Sequence, residues 1–130
     1  MEQNYETSIR ISEKVVLINI NRLYQDNLTQ DELYEITRGI WRLKPERAKN
    51  AKYAFAVYHG TVVEVFSIYD WVEAGTTEYD WREFTESEKE NRYEFVGVIA
   101  EDQIRIKYLG KNIRDYFPLG AQNPIRYVNI

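Results

Sequence analysis

KYAFAVYHGTVVEVFSIYDW (residues 52–71) holds two runs of β-branched and aromatic residues on either side of His59-Gly60. A two-residue connection containing a glycine that can take positive φ is the signature of a tight β-hairpin. The spacing predicts strands over 53–58 and 61–69. On the first strand Ala54 and Ala56 share a side with Tyr58. Small residues there leave room for a helix or a ligand to pack closely.

Upstream, KVVLININRLY predicts a strand over 15–22, and its near-continuous apolar start suits a central position covered on both faces. Next comes NLTQDELYEITRGIWRL (residues 27–43), which predicts a helix with a marked start. Thr29 and Glu32 have capping-box spacing, and Gln30, Asp31 and Glu32 place polar and negative groups in the first turn. Leu33, Ile36, Ile40 and Leu43 recur at helical spacing and define the side to be buried. Tyr34, Arg38 and Trp41 fall on a different flank with Arg42 beside them, and Lys44-Pro45 is read as the stop.

Downstream, VEAGTTEYDWREFTESEKENR (residues 72–92) reads as a long acidic loop with a short helix near its end, and loops of this length are often functional. YEFVGVI is a further strand. AEDQIRIKYLG is a helix stopped by Gly110, and NIRDYF is one more helical turn with Asn112 as its cap. LGAQNP is a turn, and IRYVNI closes the chain as a strand. The whole of 1–130 reads as one domain with a loosely held segment at 1–13. The expected class is α+β: a small, curled, mostly antiparallel sheet or barrel with two main flanking helices.

The chain carries a net charge of −4, which argues against a general coat for polyanions. The distribution says more. Over residues 38–52 six bases face one acid, a balance of +5, while over 73–102 ten acids face three bases, a balance of −7. There is no cysteine, so disulfides, thiol catalysis and thiolate metal sites are excluded. The N-terminal residues lack an apolar signal core, and the longest apolar run is far below the roughly 20 residues that span a bilayer. A soluble, cytoplasmic protein is expected, with no membrane partner.

No glycine-rich phosphate loop follows a strand. His59 is the only histidine, too few for a triad with a histidine base plus a multi-histidine zinc site, and its turn position favours an exposed structural role. No metal-ligand spacing stands out, so neither metal nor cofactor is expected and no catalytic residue is assigned. What the sequence does contain is a set of groups able to hold a planar or anionic ligand. Arg38 and Arg42 suit phosphate, Trp41, Tyr58 and Trp71 offer ring faces, and Gln122-Asn123 suit the polar edge of a base. Each also has a plain structural reading: a helix flank paired with the acidic loop, a ring anchoring that loop to the core, and the turn before Pro124.

DELYEITRGIWRL, AKYAFAVYHGTVVEVFSIYDW, YEFVGVIAEDQIRIKYLGK and GAQNPIRYVNI together resemble a family of small bacterial and phage proteins, most of them uncharacterised. The strand order and Trp71 also resemble PUA-like folds, the group that includes EVE and ASCH domains. That resemblance implies a curled barrel with a cleft for RNA or modified bases, with Arg38, Trp41, Arg42, Tyr58 and Trp71 near it. The expectation is therefore a non-enzymatic module for a nucleotide-like ligand, either a free nucleotide or an exposed or flipped base in single-stranded nucleic acid. The alternatives are a phage or mobile-element protein that docks on and inhibits a host protein, and a nucleic-acid-processing enzyme using Glu64 or Asp70 with a metal.

Overall fold

The computed structural model describes residues 8–130. Part of the segment expected to be loosely held, residues 1–7, lies outside that range. From there on the chain is tied down: the Ile9 amide donates to the Asn112 carbonyl at 3.1 Å, and Ile11 is buried.

Five strands, β1 (Val15–Asn19), β2 (Tyr53–Tyr58), β3 (Thr61–Glu73), β4 (Tyr93–Ile99) and β5 (Ile125–Val128), form one sheet in the order β4-β3-β2-β1-β5. Three pairings are antiparallel and one, β1 with β2, is parallel. The class is thus α+β with a mostly antiparallel sheet. The sheet is not closed into the expected barrel, because β4 and β5 stand at opposite edges. The hairpin is present, with His59 at φ 49° and Gly60 at φ 77°, the paired positive angles of a type I′ turn. Its second strand is longer than expected and takes in Trp71, with a bulge between Ile68 and Asp70.

Strand alternation divides the core in two. Val15, Leu17, Phe55 and Val65 point to the face where helix α4 (Asp102–Tyr108) packs through Tyr108. Val16, Ile18, Ala54, Ala56 and Phe66 point to the other face, beneath α1 (Gln30–Arg38) and α2 (Pro45–Ala48). The small side chains of Ala54 and Ala56 thus make room for helices, not for a ligand.

The first helix corrects the sequence reading. Its capping box forms as expected, but it ends at Arg38. Gly39 is extended, and Trp41 exchanges two backbone hydrogen bonds of 2.9 Å with Tyr93 at the outer edge of β4. A Cβ on Gly39 would stand 2.2 Å from the Tyr79 hydroxyl and 2.9 Å from the Glu94 Cβ. The glycine permits this close crossing, and strand pairing takes over where helical spacing continues. Pro45, read as a stop, opens α2 at a position where its missing N–H costs nothing. Gly110 does end α4, with φ 76°. A 3-10 turn at Arg114–Tyr116 follows, and its first amide donates to the Asn112 side chain at 2.9 Å.

Candidate functional site

The ligand-binding residues expected from the sequence do not meet. Arg38 is only 6% exposed. Its guanidinium donates to the Thr77 hydroxyl and to the Glu78 carbonyl, lies 3.6 Å from a Glu94 carboxylate oxygen, and stacks 3.8 Å over the Tyr79 ring. The acidic loop consumes it. Trp41 has left the helix, and its indole donates to the Thr37 carbonyl at 2.8 Å, while Arg42 stays exposed. Trp71 is sealed in the core, edge-on to Phe95 at 5.3 Å. Tyr58 stacks on Tyr24 at 4.1 Å. Gln122 and Asn123 are exposed, and the Asn123 side chain accepts the Ile125 amide at 3.0 Å, which builds the turn into β5. Arg38 lies against β4 and Asn123 precedes β5. Four strand spacings of about 4.8 Å put those edges ~19 Å apart, so one small ligand cannot touch both.

The loop is ordered because two buried carboxylates reach into it. Glu94, 0% exposed on β4, accepts the Gly75 and Thr77 amides at 3.0 and 2.9 Å as well as the Thr77 and Tyr79 hydroxyls. Glu35 on α1 accepts the Asp80 and Trp81 amides, both at 2.8 Å. Arg82 folds back to donate to the carbonyl oxygens of Glu35 and Gly39. Burial pushes the Tyr79 phenol well above its usual range, with Glu94 adding to the rise and Arg38 opposing it. The short α3 (Glu86–Lys89) follows with a capping box of its own, Thr85 and Glu88. Arg38 thus works as an internal counter-ion for an acidic strap that presents Trp81, 53% exposed, to solvent.

A different hollow opens where β1 and β2 end side by side. Adjacent parallel strands leave a crevice at their carboxyl ends as their connections diverge, a recurrent place for ligands. This groove measures about 700 Å³, within the usual size for a small-molecule site. Asn19, Asn21, Val57 and His59 line it on the strand side, and Arg114, Phe117 and Leu119 on the other. The Asn19 side-chain oxygen accepts the Asn21 amide and the Asn21 oxygen accepts the His59 amide, each at 2.8 Å. Both asparagines therefore hold their oxygens inward, and neither side-chain nitrogen has a partner among the described residues. The stem of Arg114 lies over Gly60, where a Cβ would come within 2.3 Å of its Cγ, and its guanidinium forms no hydrogen bond or ion pair among the described residues. The His59 ring rests on Tyr58 at 4.1 Å. Sequence reading passed over Asn19, Asn21 and Arg114 and gave His59 a turn role only. The pair of asparagines at the end of the strand was the one available signal.

The two acids considered for metal-assisted catalysis are both engaged. Glu64 is buried and holds Arg105 in a two-pronged contact at 2.9 and 3.1 Å, with Gln30 at 2.9 Å. Burial by itself would raise its carboxyl; these bonds and the Val65 amide outweigh that and hold it below 4.5. Asp70 accepts the Trp71 amide and faces Lys49 at 3.8 Å. Among the described residues no group of three or more acids and histidines could hold a metal ion, and no helix is long and apolar enough to cross a membrane. No family model, curated protein or solved structure matches the chain.

Proposed function

We propose that the protein is a binding module for a nucleotide-like ligand, held in the groove at the carboxyl ends of β1 and β2. The observation that carries this reading is the groove's surplus of donors. Among the described residues the Arg114 guanidinium, the His59 ring and the two asparagine side-chain nitrogens have no hydrogen-bond partner, and of the groove's lining residues only Asp115 opposes them in charge. Donors left free around a concave space fit a phosphate or a carbonyl-rich edge, since a planar guanidinium pairs two-pronged with such groups. The His59 ring, which lines the groove and lies tilted against Tyr58 just outside it, offers an aromatic contact suited to a base. The exposed acids of the strap disfavour a continuous phosphate backbone, so a free nucleotide or a single exposed base fits better than a duplex.

The test is an amide-resolved NMR titration with nucleoside 5′-monophosphates. Shifts are expected at His59, Gly60 and Arg114. Arg114→Ala should weaken binding at least about tenfold, since a hydrogen bond to a charged group contributes roughly 1.5–3 kcal/mol. A wild-type protein whose groove amides stay unmoved by any nucleotide would remove the reading.

A second reading, docking on a basic protein partner, is favoured by Trp81, an exposed aromatic on a strap held rigid from beneath. Rigid tryptophans within polar rims often dominate interfaces. Trp81→Ala should then abolish co-purification of that partner and leave the fold intact.

A further inference from the structure

The groove has two chemically different walls. The free donors come from the strand ends and Arg114. Facing the strand ends and continuing from Arg114 is the segment 117–121, in which Phe117, Pro118, Leu119 and Ala121 line the space and offer no side-chain donor. Its geometry is defined. Phe117 is half-buried and packs against the core cluster that contains Ile113. The Ala121 amide donates to the Pro118 carbonyl at 3.0 Å, and Gly120 has φ 79°, so residues 118–121 make a type II turn with Leu119 at its first central position. Leu119 is 103% exposed, more than any other large apolar side chain described, yet it borders the groove. A single exposed leucine on a convex surface needs no explanation. Here the leucine stands on a tight turn that follows the half-buried Phe117, and it borders the same hollow as Arg114 and the strand-end asparagines.

We infer that this turn is an apolar jaw and that Leu119 determines specificity: the groove takes an anion only when it is joined to a flat apolar ring. The inference rests on the reading of the groove as a nucleotide site and deepens it. Arg114, Asn19 and Asn21 hold the phosphate end. The ring lies between the Leu119 side chain and the His59 edge, and its contact with Leu119 removes that side chain's exposed apolar surface from water. Ribose 5-phosphate offers the donors the same anion and offers the jaw nothing.

The experiment compares adenosine 5′-monophosphate with ribose 5-phosphate by calorimetry on wild type, Leu119→Ser, Leu119→Met and Arg114→Ala. Leu119 is fully exposed among the described residues, so its variants should fold normally. Wild type should bind the nucleotide at least about tenfold more tightly than the sugar phosphate. Leu119→Ser should erase that preference by weakening the nucleotide alone, and Leu119→Met should restore most of it. Arg114→Ala should weaken both. If wild type binds both ligands equally, or Leu119→Ser keeps the preference while Arg114→Ala abolishes binding, the jaw is refuted and the groove stands. If wild type binds neither ligand, the groove reading fails and takes the jaw with it.

Discussion

Glu94→Gln is the sharpest test of how this fold is held together. One carboxylate oxygen takes the Gly75 amide and the Tyr79 hydroxyl; the other takes the Thr77 amide and hydroxyl and faces Arg38. A glutamine of the same shape keeps a single acceptor. Whichever way its amide is placed, an NH₂ group meets a backbone N–H, and Arg38 loses its buried counter-charge. Removing one partner of a buried ion pair costs about 3–5 kcal/mol. The amide that meets the NH₂ group loses a hydrogen bond to a charged group, at roughly 1.5–3 kcal/mol, and the other keeps only a neutral one, which is consistent with that range. Total stability for a domain of this size is on the order of 5–15 kcal/mol, so the variant should fold but with a much lower urea midpoint. Hydrogen exchange locates the loss, because the Gly75 and Thr77 amides should be the first to lose protection. Without the Glu94 contribution, the Tyr79 phenol should also titrate lower than in wild type. Adding Arg38→Met should recover part of the lost stability, since a buried cation then no longer lacks a partner. A loss below about 1 kcal/mol with both amides still protected would show that the strap is held by something else.

Two further outcomes follow from the core. Gly97→Ala should destabilise by at least about 1–3 kcal/mol in urea unfolding, because the new Cβ would stand 2.0 Å from the Ser67 backbone oxygen and force β3 and β4 apart; an unchanged midpoint would contradict that close approach. Glu64→Gln should lower stability near about pH 7, and its gap to wild type should close on acidification. The folded Glu64 carboxyl lies below its ordinary 4.5, so its contribution is complete above that value and is lost as pH falls through the lower folded one. A gap independent of pH would mean that the charge on Glu64 contributes nothing.

The segments whose signals are local were legible in the sequence. Alternating β-branched residues and His59-Gly60 specified the hairpin, because both act within a few residues. The Thr29–Glu32 cap and the Gly110 stop held for the same reason. Helical spacing from Leu33 to Leu43 misled, since a 3.6-residue repeat continues past Gly39 while the chain there leaves the helix to pair with Tyr93.

Charge totals told of a basic segment and an acidic one, but not that Arg38 would be folded beneath the acidic strap. That pairing joins residues 56 positions apart in the chain, Arg38 and Glu94, and follows from where α1 crosses the edge of β4. The groove is likewise a product of tertiary structure. Asn19, His59 and Arg114 come from three distant segments and converge because β1 and β2 run parallel and end together. Sequence alone determined which pieces this chain is built from, because propensity and capping act between near neighbours. Only the folded sheet decided which polar groups are satisfied inside and which stay at the surface of the groove, because that depends on contacts between residues far apart in the chain.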